Sequence, residues 1–228
     1  MTIDYADFTK ASNIIHSIQG GALLLLGAAE AYALDNKGRR FVLAAAAALA
    51  LSGVAMFLAV LALPGGWSLE QLSAALSFRR GFYLFIAFAC LFSAAGMSRL
   101  TQAALDRQGG GWQALFLALL ALAGLLYFML ASRVNEEAWR QVLVWHSAMG
   151  ATLLLAVAAK TADIFKPRRA LHFAWAALLL VTALQLLTYR ESAGTFAPRL
   201  VTVETPAEVP PAKMPAKNAP ADKKRPAR

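Results

Sequence analysis

Six stretches of the chain are apolar for long enough to cross a hydrocarbon layer of about 30 Å, which takes roughly 17 to 25 helical residues. They run Ala11–Leu34, Phe41–Leu63, Gly81–Ser98, Trp112–Ala131, Gln141–Ala159 and Ala170–Tyr189. Alanine and leucine dominate, and the alternation of polar and apolar positions that a barrel strand needs is absent. In lipid each segment has to satisfy its own backbone polar groups, so these stretches predict helices. The fold class read from this pattern is an all-α, polytopic bundle of six transmembrane helices, residues 1–190. The prolines, alanines and lysines of 191–228 can bury no core, and the chain reads as disordered from about Thr202.

Polar punctuation marks the connections. Pro64-Gly65-Gly66 ends the second span, and Trp67 to Phe78 suits a short amphipathic helix at the interface. Gln108 to Gly111, Asn135-Glu136-Glu137 and Lys166 to Arg169 separate the later spans. Ala31-Tyr32-Ala33 imitates a signal-peptide cleavage site. The long first span, with His16 and Gln19 inside it and Asp4 and Asp7 before it, reads instead as a retained helix.

One short pattern occurs twice, 130 residues apart: Ile15-His16-Ser17-Ile18-Gln19-Gly20 and Trp145-His146-Ser147-Ala148-Met149-Gly150. Both copies run on into three leucines, and each histidine is followed fourteen residues later by a charge, Glu30 or Lys160. Fourteen helical residues return to within about 40° of the starting direction and rise about 21 Å. Each histidine therefore shares a helical face with its later charge. The first and fifth spans run in the same direction, with each histidine five residues in, so the two imidazoles are expected at one depth. If the helices touch, Glu30 and Lys160 are expected to form an ion pair near the other surface.

Composition and charge narrow the class. Of 228 residues 59% are apolar and 15% charged, and the formal charge of +9 lies largely at span ends and in the tail. No soluble basic domain remains to bind nucleic acid, so the expected surroundings are a lipid bilayer. The single cysteine, Cys90, rules out an intrachain disulfide and any multi-cysteine metal centre. Lys37, Arg39, Arg40, Arg99, Arg107, Lys160, Lys166, Arg168 and Arg169 lie on one side. Lys10, Arg79, Arg80, Arg133, Arg140, Arg190 and Arg199 lie on the other. Nine against seven places both termini outside, in the periplasm if the host membrane is an inner membrane.

Ionisable groups inside spans are costly and usually functional. Two imidazoles at one depth suit a haem b, with His16 and His146 as metal ligands. Gly20 and Gly150 would let the macrocycle approach, and Ser17 and Ser147 would orient the imidazoles. Arg79 and Arg80, with Arg133 and Arg140, would meet the propionates. Such a cytochrome b-like subunit would carry electrons between a quinol and a periplasmic redox protein. Copper is the alternative, because imidazole and thioether both ligate it and Met149 shares a face with His146. A third reading is a cofactor-free subunit of a larger membrane complex, with the basic tail as its attachment. His172, near the far end of the last span, reads as an interfacial histidine. Glu136-Glu137 reads as a charged turn, and no nucleotide loop, catalytic triad or zinc spacing is present.

His16 with Gly20, Ser52-Gly53, Arg80 opening the third span and Ser98-Arg99 closing it carry a resemblance. Residues 11 to 131 resemble the four-helix unit of copper-resistance D membrane proteins, and the first-helix histidine is similar to that of membrane protoporphyrinogen oxidases. His146 would open a second, incomplete unit, whereas the longer family members have a full second set of helices. The resemblance implies copper or haem handling without choosing between them.

Overall fold

The computed structural model describes residues 4–35, 38–78, 80–105, 110–192 and 195–196. Seven α-helices follow one another among the described residues: α1 Tyr5–Tyr32, α2 Arg39–Ala62, α3 Leu69–Phe78, α4 Tyr83–Ala104, α5 Gly111–Leu130, α6 Glu136–Phe165 and α7 Arg169–Thr188. All but α3 are long and apolar enough to span a membrane, and no strand occurs among the described residues. The short α3 is the expected amphipathic helix after the Pro64-Gly65-Gly66 stop. It follows a turn in which Gly66 and Trp67 take positive φ angles of 50° and 63°.

Helix ends follow local chemistry. Asp4 caps α1 by accepting the Ala6 N–H at 2.8 Å, and Asn135 caps α6 by accepting the Ala138 N–H at 2.9 Å. Both helices consequently begin several residues before the apolar runs that announced them.

The six spanning helices form a ring. Each packs closely against the next spanning helix in sequence, from α1 through α2, α4, α5 and α6 to α7, and α7 closes on α1. Lipid supplies no hydrophobic drive between helices, so close approach depends on small residues. The α2–α4 crossing shows this most clearly. A Cβ added at Gly96 would lie 2.1 Å from Ala50 N, and one at Gly53 would lie 2.2 Å from Ala89 O. Ser93 Oγ adds a hydrogen bond to Ala50 O at 2.9 Å.

Helices α1 and α6 are not close neighbours; they face one another across the ring interior. On α1 the buried stripe is Ser12, His16, Gln19, Leu23, Leu26 and Glu30. On α6 the corresponding positions, 130 residues on, are Val142, His146, Met149, Leu153, Ala156 and Lys160. The two stripes keep the same alternating spacing of four and three. Both of their polar ends therefore point inward, and leucines fill the middle.

Packing continues past the boundary expected at residue 190. Glu191, Thr195 and Phe196 are buried, with the Phe196 ring edge-on to Phe82 at 5.1 Å. Glu191 N–H donates to Asn13 Oδ1 at 2.8 Å, and Asn135 N–H donates to Thr195 O at 3.2 Å. The expected disorder from Thr202 lies outside the described residues, as do Arg79, Lys37 and Arg107.

Candidate functional site

The twofold pattern becomes a contact. His16 Nε2 and His146 Nε2 lie 3.3 Å apart, and each residue is about 1% exposed. His146 Nδ1 is 2.8 Å from Val142 O. A carbonyl only accepts, so Nδ1 of His146 carries the proton and its Nε2 presents a lone pair to the ring interior. His16 Nδ1 is buried with no hydrogen-bond partner.

Glu191 completes the group, and sequence reasoning missed it. Its ligand atom, with one from each histidine, belongs to a set lying within 4.8 Å of one another. The carboxylate is held at both oxygens, by Ser12 Oγ at 3.3 Å and by the Tyr189 hydroxyl at 3.1 Å. Burial pushes the Glu191 carboxyl up to about 7, against the opposing effect of its hydrogen bonds. The Tyr189 ring stands edge-on to His16 and His146, at 5.1 and 4.9 Å. Tyr127 donates to Gln19 Oε1 at 3.1 Å one turn deeper. No pattern in the apolar blocks marks Glu191, because it follows the last span and returns only through the Asn13 and Ser12 contacts.

The glycines expected beside a cofactor do something else. A Cβ on Gly20 would meet Leu187 Cγ at 2.7 Å and Ala183 O at 3.0 Å, so Gly20 faces α7. One on Gly150 would meet Gly124 O at 2.7 Å and Phe128 at 2.7 Å, so Gly150 faces α5. Both serve helix packing. Arg80 is exposed, as is Arg140.

These observations bear on which group the residues suit. Metal–imidazole bonds are about 2.0–2.1 Å, so trans ligands on one iron stand about 4 Å apart and ligands on a tetrahedral edge about 3.4 Å. The 3.3 Å separation matches the edge. Tyr189, Tyr127 and Phe85 rings pack around the imidazoles, where a macrocycle would extend. The Nε2–Nε2 separation is that of two ligands sharing a tetrahedral edge.

The second polar cluster lies at the opposite end of the ring. Glu30, 2% exposed, does not pair with Lys160 as expected. Its carboxylate takes Arg99 Nη2 at 2.5 Å, and its other oxygen lies 3.5 Å from His172 Nε2. Lys160 pairs with Asp163 at 3.2 Å and approaches His172 Nδ1 at 3.3 Å. Helix α7 sits between α1 and α6 in the ring, so its His172 stands between the two expected partners, and Arg99 reaches Glu30 from α4. Arg99 also donates to Gln102 Oε1 at 2.8 Å, and Gln102 donates to Gln113 at 3.2 Å.

Between the clusters lie Leu23, Leu26, Leu49, Leu120 and Leu153, each fully buried. No protein family, curated protein or solved structure matches this chain. Its class rests on its own features: a multi-pass helical membrane protein with a separate polar cluster towards each end of the ring.

Proposed function

We propose that this is a membrane copper-handling protein that binds one divalent ion through His16, His146 and Glu191. The observation that carries the reading is the convergence of two Nε2 atoms, 3.3 Å apart, with a buried carboxylate in the same small volume. Copper is the proposed ion because imidazole suits it and because the resemblance of residues 11 to 131 implies copper handling; zinc would suit the same ligands on a tetrahedral edge. The bound ion would supply positive charge opposite the Glu191 carboxylate.

The chain's own residues prepare this site. Val142 O fixes the His146 tautomer, leaving Nε2 free to ligate. Ser12 and the Tyr189 hydroxyl orient the carboxylate, and the Tyr189 ring shields both imidazoles from water. Below Gln19 and Tyr127 the layer of Leu23, Leu26, Leu49, Leu120 and Leu153 offers an ion no ligand. Loading and release would therefore use the same face, which favours holding or delivery over conduction.

Metal analysis of protein purified with and without copper supplementation tests this. One copper per chain is expected, lost in both His16→Ala and His146→Ala and bound about tenfold more weakly in Glu191→Gln. Sharp low-spin haem bands after dithionite reduction would overturn the proposal in favour of an electron-transfer subunit. Metal-free, colourless protein under every loading condition would favour a cofactor-free subunit of a larger complex.

A further inference from the structure

The second cluster opens into a cavity of about 480 Å³ to which all six spanning helices contribute, at the end of the ring that carries the α1–α2 turn. Its walls include Glu30, Arg39, Arg99, Lys160, Asp163 and His172. Three of these side chains are cationic and two anionic, an excess of one positive charge before His172 is counted.

The hydrogen bonding is unbalanced in the same sense. Both carboxylates are already engaged, Glu30 by Arg99 and Asp163 by Lys160 and by the Arg168 N–H at 3.2 Å, while His172 Nε2 meets the Glu30 main-chain oxygen at 3.1 Å. Donors are left over. Arg99 Nε is buried with no hydrogen-bond partner, and the Lys160 ammonium has three protons for two partners, Asp163 and His172. Arg39 stands exposed among the lining residues, its guanidinium reaching Ala104 O at 2.7 Å. Spare N–H groups on arginine and lysine, in a partly dehydrated cavity, match an oxyanion with several acceptor oxygens. A volume of this size falls in the range of small-ligand sites and exceeds what a lone water cluster requires.

We propose that this cavity binds a phosphoryl group, free in solution or carried by a lipid headgroup, through Arg99, Lys160 and Arg39. The site is distinct from the histidine centre and separated from it by the leucine layer, so either assignment can fail without the other.

Thermal unfolding of the full chain in phosphate-free dodecylmaltoside micelles, titrated with inorganic phosphate at constant ionic strength against chloride, is the test. A saturable rise in Tm is expected with phosphate. A rise only when phosphatidylglycerol is added to the micelles would support the headgroup as the source. Lys160→Gln is expected to weaken binding about tenfold, and Arg39→Gln provides a second variant should the first fail to fold. Arg169→Gln, which alters the exposed Arg169–Asp35 pair outside the cavity lining, is expected to leave binding unchanged. No saturable response to either source overturns the proposal. So does an equal loss in Arg169→Gln, which would mark diffuse surface attraction.

Discussion

Glu30 has two candidate counter-charges, and the structure ranks them. Arg99 touches it directly, with side chains 13% and 2% exposed, whereas Lys160 reaches it only through His172. Removing one partner of a buried pair typically costs about 3–5 kcal/mol, because the remaining charge stays desolvated. Arg99→Gln belongs at the lower end, about 3 kcal/mol, since His172 Nε2 remains 3.5 Å from the carboxylate. Lys160→Gln also breaks a mostly buried pair, 13% and 14% exposed, so it costs about 3 kcal/mol, but through Asp163 and not through Glu30. A double-mutant cycle isolates the interaction terms: about 2 kcal/mol is expected between Glu30→Gln and Arg99→Gln, and under about 1 kcal/mol between Glu30→Gln and Lys160→Gln. Reversible unfolding in mixed dodecylmaltoside and SDS micelles measures both. A Glu30–Lys160 coupling equal to or larger than the Glu30–Arg99 coupling would refute the ring order on which this reasoning depends.

Further outcomes follow from packing. Gly96→Ala forces a methyl within 2.1 Å of Ala50 N and should cost about 3 kcal/mol in the same unfolding assay, near the top of the overpacking range. Gly21→Ala, with nothing within 4 Å of the added atom, should be neutral or stabilise by up to about 1 kcal/mol. Gly20→Ala should loosen the α1–α7 contact, seen as a lower Tm, while leaving metal stoichiometry intact; loss of metal would restore Gly20 to the site. Truncation after Phe196 should leave stability and metal content unchanged. Truncation after Arg190 should lower stability by about 2–3 kcal/mol through loss of buried Phe196, and should weaken metal retention through loss of Glu191. Equal behaviour of the two truncations would show that 191–196 has no role in either.

The sequence by itself determined the elements and the depth of their polar groups. Helix periodicity and hydrophobic length are local quantities, so six spans, the short α3 and the shared register of the two histidine stripes could all be read along the chain. The meeting of His16 with His146 followed from equal depth and inward-facing stripes. Tertiary structure alone decided lateral neighbours. In lipid these depend on which small residues from different helices fit together, as Gly96 fits Ala50 and Gly20 fits Leu187, and no single helix carries that information. The ring places α7 between α1 and α6, which hands Glu30 to Arg99 and His172 in place of Lys160. It turns both motif glycines towards neighbouring helices. It also lets Asn13 and Ser12 capture Glu191, a residue beyond the last span whose position depends on contacts with α1, nearly 180 residues earlier.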